Sequence, residues 1–208
     1  LLLPEKEGSE PILLPIINLN WQPNFILLGG KFNLNFNSAN IIRKTDGNTQ
    51  RISIKSSWKR NIITKSGHLI NMGVFLRGDL YRSTKKYIPN NSSRLLPTNR
   101  IGDDLNIARV LPNYFLEWKF PVVSPNGHTI IEPIVNFTLA PSDKEYSKIP
   151  NEDSIAFELN SANIFFNDRI QGFDRWEYGN RINYGIQISH FWGDRVIKAL
   201  LAQSYRFS

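Results

Sequence analysis

Lys31-Phe32-Asn33-Leu34-Asn35-Phe36-Asn37 alternates polar and apolar side chains, with lysine or asparagine at every odd position. A helix would scatter those apolar groups around its whole circumference. A β-strand, whose side chains point alternately to opposite sides, gathers them on one face. Ile26, Leu28 and Gly30 share the parity of Phe32, Leu34 and Phe36, so the reading extends to one strand from Ile26 to Asn37.

Seven more segments repeat the pattern. Leu13 to Gln22 sets Ile17, Leu19 and Trp21 against Asn18, Asn20 and Gln22. Arg51 to Lys59 sets Ile52, Ile54 and Trp58 against Arg51, Ser53, Lys55, Ser57 and Lys59. In Leu69 to Tyr81, Ile70, Met72, Val74, Leu76 and Leu80 oppose Asn71, Arg77 and Asp79. Arg109 to Phe120, Ile130 to Ala140, Ile182 to Trp192 and Arg195 to Phe207 behave alike. Each segment is about 9 to 13 residues long, whereas soluble strands are usually about 5 or 6 and membrane-crossing strands about 9 to 11. Pro15, Pro112 and Pro133 each remove a ladder donor, which is tolerated near a strand start. Trp21, Trp58, Tyr81, Trp118, Phe120, Trp192 and Phe207 lie near strand ends, which agrees with interfacial girdles and nearly as well with the general preference of aromatics for strands.

Short and long connections alternate in this reading. Pro23 to Phe25, Asn61 to His68, Pro121 to Thr129 and the Gly193-Asp194 hairpin are short. Ser38 to Gln50 with its Asp46-Gly47 turn, Ser83 to Ala108 with Asn90-Asn91-Ser92-Ser93, and Pro141 to Arg181 are long. Outer-membrane barrels have this asymmetry, with tight periplasmic turns and longer outer loops. The expected fold is all-β: an antiparallel up-and-down transmembrane β-barrel segment of about eight long strands, with residues 1–208 forming part of a single barrel domain.

The 41% hydrophobic content excludes general disorder. No apolar run approaches the roughly 20 residues of a membrane-spanning helix. Leu1 to Pro4 is apolar but no signal peptide is evident. With no cysteine, thiolate metal sites and cysteine nucleophiles are excluded. His68, His128 and His190 lack metal-ligand spacing, and no phosphate loop, nucleophile elbow or zinc-helix motif occurs. No cofactor, metal or catalytic group is expected.

The net charge of +7 points to an anionic partner. If the apolar faces meet lipid, the opposite faces carry Lys31, Arg51, Lys55, Lys59, Arg77, Arg109, Lys119, Lys198 and Arg206 against Asp79, Glu117 and Glu132. Such an excess could guide an anionic solute or amphiphile, or it could form cross-strand charge pairs that hold the wall together. Nucleic acid is disfavoured, because the charges are spread through strands rather than clustered with stacking aromatics.

The longest connection carries Ile149-Pro150-Asn151-Glu152-Asp153-Ser154, Asp168-Arg169 and Gly172-Phe173-Asp174-Arg175 with Glu177-Tyr178-Gly179. With Leu76-Arg77-Gly78-Asp79-Leu80-Tyr81 and Gln203-Ser204-Tyr205-Arg206, this resembles the C-terminal barrel domain of the lipopolysaccharide-assembly family LptD, most nearly its alphaproteobacterial forms. The resemblance implies a large barrel preceded by a periplasmic jellyroll, plugged by the lipoprotein LptE and inserted by the barrel-assembly machinery. It implies passage of lipopolysaccharide from the periplasmic bridge protein into the outer leaflet, among outer-membrane lipid, in a Gram-negative cell. This chain would be an internal wall segment. The resemblance also suggests that Glu152, Asp153, Arg169, Asp174, Arg175 and Glu177 fix the long loop over or into the lumen, with a solvated outer loop held by local Asp–Arg pairs as the plainer possibility. Two other readings stand beside it: a complete small eight-stranded barrel serving as envelope anchor or adhesin, and a barrel enzyme, for which no catalytic group is found.

Overall fold

Where the sequence alternates, the chain is extended. The computed structural model describes residues 11–43, 47–84, 87–88, 100–101 and 104–207. Eight long strands run through it: β1 (Ile12–Trp21), β2 (Gly30–Ile42), β3 (Asn48–Ile63), β4 (Leu69–Thr84), β5 (Leu105–Lys119), β6 (Thr129–Leu139), β7 (Asn180–Trp192) and β8 (Arg195–Phe207). They hydrogen-bond in chain order, an up-and-down sheet with β1 and β8 at the two ends of the path. The shortest has 10 residues and the longest 16, enough to cross a hydrocarbon layer. No helix among the described residues is long and apolar enough to cross a membrane.

Several features differ from the sequence reading. The segment from Ile26 to Asn37 is broken at Leu28 (φ 50) and Gly29 (φ 75), which turn Ile26–Leu27 back onto Gly30 and Lys31. Two successive positive φ angles are what a two-residue turn matched to strand twist requires. Next, β2 and β3 extend into residues where alternation fades. The expected long connection from Ser38 to Gln50 therefore shrinks to residues 43–47, no longer than the 64–68 turn. The remaining long links are residues 85–104 and 140–179. Third, β5 begins at Leu105, so Pro112 lies in mid-strand rather than near its start. Fourth, Tyr81 is not a girdle residue; it is buried at 3% exposure and lies beside Arg109. Leu1 to Pro4, Asp46 and the Asn90-Asn91-Ser92-Ser93 stretch lie outside the described residues. Gly193 (φ 60) makes the expected tight hairpin, with Trp192 opposite Arg195.

The chain divides into two compact units. One comprises residues 1–21, 34–55 and 77–110. Its outward side chains are apolar: Ile52, Ile54, Leu80 and Val110 are all exposed. Its buried side chains are largely polar, including Asn37, Arg51, Ser53, Arg77, Asp79 and Arg109, with Ala39, Ile41 and Ile107 among them.

The second unit comprises residues 22–33, 56–76 and 111–208. Leu76, Leu116, Ile131, Ile186, Ile188 and Leu201 are exposed, while Asn113, Asn136, Thr138, Arg181 and Asn183 are buried. Both units thus invert the soluble pattern. Leaving even those six apolar side chains half in water would forfeit on the order of 5 kcal/mol, a large share of the usual stability of a domain. Lipid removes that cost.

Candidate functional site

On β4, Arg77 and Asp79 are two residues apart and so share a face. Asp79 Oδ1 accepts Arg77 Nε at 2.9 Å and its Oδ2 accepts Arg109 Nε of β5 at 2.6 Å. The carboxylate is fully buried and both guanidinium groups nearly so. Arg109 also lies over the Tyr81 ring, 5.3 Å from its centroid. Arg51 of β3 donates twice to Asn37 Oδ1 of β2, at 3.2 and 3.1 Å, and Asn37 Nδ2 donates to Asn18 Oδ1 of β1 at 2.5 Å. Arg51 and Arg109 are thus paired from strand to strand, and Arg77 along its own strand.

In the second unit the polar face is an amide ladder. Asn183 Nδ2 donates to Asn136 Oδ1 at 3.1 Å, and Ser204 Oγ donates to Asn183 Oδ1 at 2.7 Å. The 140–179 connection lies on this ladder. Asn136 Nδ2 donates to Asn167 Oδ1 at 3.0 Å, Thr138 Oγ1 to the same oxygen at 3.4 Å, and Asn113 Nδ2 to the Asn167 carbonyl at 3.4 Å. The Arg181 guanidinium of β7 donates to that carbonyl as well.

Glu177 ties the loop down a second time. Its carboxylate accepts the Arg169 guanidinium and, at 2.9 Å, the Arg169 backbone N–H. It also lies 3.4 Å from Arg181 Nη2 and 3.0 Å from Arg206 Nη2 of β8. Burial alone would raise the Glu177 carboxyl, but the Arg169 hydrogen bonds and the charges of Arg181 and Arg169 outweigh it and hold it below the ordinary value.

Farther along, the loop closes on itself. Asp174 Oδ2 accepts the backbone N–H of Glu152 at 2.6 Å and of Asp153 at 2.9 Å. Asp153 Oδ1 in return accepts the N–H of Phe173 at 2.9 Å, and Ser154 Oγ those of Asp174 and Arg175 at 2.9 Å each. The short strands Ile155–Ala156 and Ile170–Gln171 pair beside this clasp. Gly172 (φ +96) is required there, since a Cβ would stand 2.5 Å from the Asp153 carbonyl oxygen. Arg175 Nη1 donates to the carbonyls of Tyr146 at 3.0 Å and Ile149 at 2.8 Å while stacking over the Tyr146 ring.

The candidate residues therefore separate. Arg77 and Arg109 meet at Asp79; Arg169, Glu177 and Arg206 meet at the loop base; Glu152, Asp153 and Asp174 build the clasp. Lys119 lies 3.3 Å from Glu117 Oε1, Lys55 is partly exposed, and Lys31 and Lys198 are exposed. Sequence reading missed Arg181, Asn167 and the amide ladder. Arg181 shares the parity of Asn183 but falls outside the expected strand, which starts at Ile182, two residues after the observed start at Asn180. Nothing in the local pattern marks Asn167. Among the described residues no histidine and carboxylate cluster could hold a metal; His68 Nδ1 accepts Trp118 Nε1 at 3.2 Å, and His190 shares a hydrogen bond with Thr129.

Among curated proteins none matches the chain. The model of one family, described as LPS transport system D, matches residues 2–208. Long antiparallel strands with apolar groups outward and a polar face within agree with that match: the chain belongs to the LptD family, outer-membrane β-barrel proteins of Gram-negative bacteria that act in lipopolysaccharide transport.

Proposed function

We propose that this chain is a segment of the barrel wall past which lipopolysaccharide moves to the outer leaflet, within one barrel domain. Its polar face would line the passage and its 140–179 loop would narrow it. The inverted burial carries this reading, because a sheet that hides arginine and asparagine while exposing isoleucine and leucine needs lipid on one side and a polar interior on the other. Docking of Asn167 on Asn113 and Asn136 supports a loop held on the passage side rather than a solvated outer loop. Arginines paired at Asp79 serve the wall itself, leaving the exposed lysines to face cargo. An LptE-like plug, a periplasmic bridge protein and the barrel-assembly machinery are the partners this role calls for.

Two positions near the short-turn end of β5 test it. Leu116 belongs to the apolar face and Lys119 to the polar one. A photocrosslinker at Lys119 in the complete protein should capture newly made lipopolysaccharide in cells, and one at Leu116 should capture phospholipid. The reverse result would sink the proposal.

A further inference from the structure

A cleft of about 560 Å³ opens among the ends of β2, β3 and β4 nearest the short turns. Lys31 and Asn33 of β2, Ser57, Lys59 and Asn61 of β3, and Asn71 of β4 line it. Every one of these is on the polar face by strand parity. No carboxylate is among the lining residues, in contrast to the arginine clusters, each of which surrounds an acidic side chain.

The cleft is held open by its surroundings. Trp58 Nε1 donates to the Leu27 carbonyl at 2.7 Å, and Arg60 Nη1 to that of Leu28 at 3.2 Å. These bonds seat the corner before β2 on β3. A side chain at Gly30 would stand 2.5 Å from the Trp58 ring, so the close approach depends on glycine. Lys59 Nζ lies 5.1 Å from the centroid of the Phe75 ring, which supports its ammonium without neutralising it. Asn71 Oδ1 is buried and lacks a hydrogen-bond partner. An orphaned acceptor costs free energy until a donor reaches it, and a dianionic phosphate ester offers none. A sugar hydroxyl does.

We infer that this cleft binds a phosphorylated sugar headgroup, the phosphate between Lys31 and Lys59 and a hydroxyl on Asn71, as an entry-side station for cargo. The inference rests on the passage reading above and adds a place and a chemistry to it. Short turns face the periplasm in outer-membrane barrels, so the station stands where cargo arrives.

The test measures binding of bisphosphorylated lipid A, enzymatically dephosphorylated lipid A and inorganic phosphate to the complete protein with its partners in detergent. The Lys31→Gln/Lys59→Gln double variant should bind bisphosphorylated lipid A about tenfold more weakly, the loss of one or two charge-assisted contacts. Its binding of the dephosphorylated lipid should not change. Asn71→Ala should weaken both lipids. Unaltered binding by the double variant overturns the station and leaves the passage standing; failure of the wild type to bind lipid A overturns both. Inorganic phosphate that binds as tightly as lipid A and displaces it would make this a free-phosphate site and overturn the headgroup assignment. Should the double variant lose its heat-modifiable form, the wild type decides: about 0.5 M salt must weaken its binding of the phosphorylated lipid alone, and equal weakening of both lipids overturns the inference.

Discussion

Two buried carboxylates, Asp79 and Glu177, each gather arginines, yet they hold different things. Asp79 joins neighbours within the sheet, with Arg77 on its own strand and Arg109 on the next. Glu177 lies outside the strands and draws Arg181 and Arg206 from the sheet and Arg169 from the loop. The first arrangement is part of the wall. The second is a joint between the wall and something resting on it. The same chemistry stabilises either the barrel or the loop according to which element carries the acid.

The largest effect belongs to the wall. Asp79→Ala leaves two buried guanidinium groups without their shared counter-charge and should lower the unfolding free energy by about 3–5 kcal/mol. Urea unfolding of the complete protein in vesicles measures it, and a loss under about 1 kcal/mol would erase the difference between wall and joint.

Glu177→Gln should act locally, loosening the loop by about 2–3 kcal/mol while the urea midpoint of the barrel stays in place. Amide exchange over residues 165–179 reports the first and unfolding the second; equal losses in both would merge the two clusters into one. The same joint responds to acid. Because the Glu177 carboxyl is held below its ordinary value, its contribution is complete above the unfolded value near 4.3 and is lost as pH falls through the lower folded one. Loop protection should therefore be flat from about pH 8 to 5 and decline only in stronger acid. A decline near pH 6 would point to a histidine instead.

Gly172→Ala should have the smallest effect, about 1–3 kcal/mol confined to the clasp, since its positive φ and the Asp153 carbonyl leave no room for a Cβ. Exchange at residues 151–156 should rise while residues 165–169 keep their protection. Release of both would show that the loop docks as one piece.

Much of the wall was legible in the sequence because period two assigns each residue to a face regardless of partner. Arg51, Arg77, Asp79 and Arg109 were placed together on the polar face by parity alone. Strand ends were less legible. Residues 38–42 stay paired although their alternation fades, and Leu28-Gly29 breaks a pattern that its side chains continue. Tyr81 has the composition of a girdle residue but the parity of the polar face, and parity prevails. The loop's internal order was the least legible: Asn167 acts through its carbonyl and amide against residues 29 to 54 positions earlier, and no local period encodes such a contact.

Strand order that equals chain order has a consequence for how this wall is made. Each strand has its partner in the neighbouring segment of the chain, so most pairings close only a short stretch, and closure entropy grows slowly with length. Gly193 fixes one such register within two residues. The sheet can thus be laid down hairpin by hairpin, its greasy side always needing cover before the next strand arrives. The links before β5 and β7, 20 and 40 positions long, are the largest closures in the sheet.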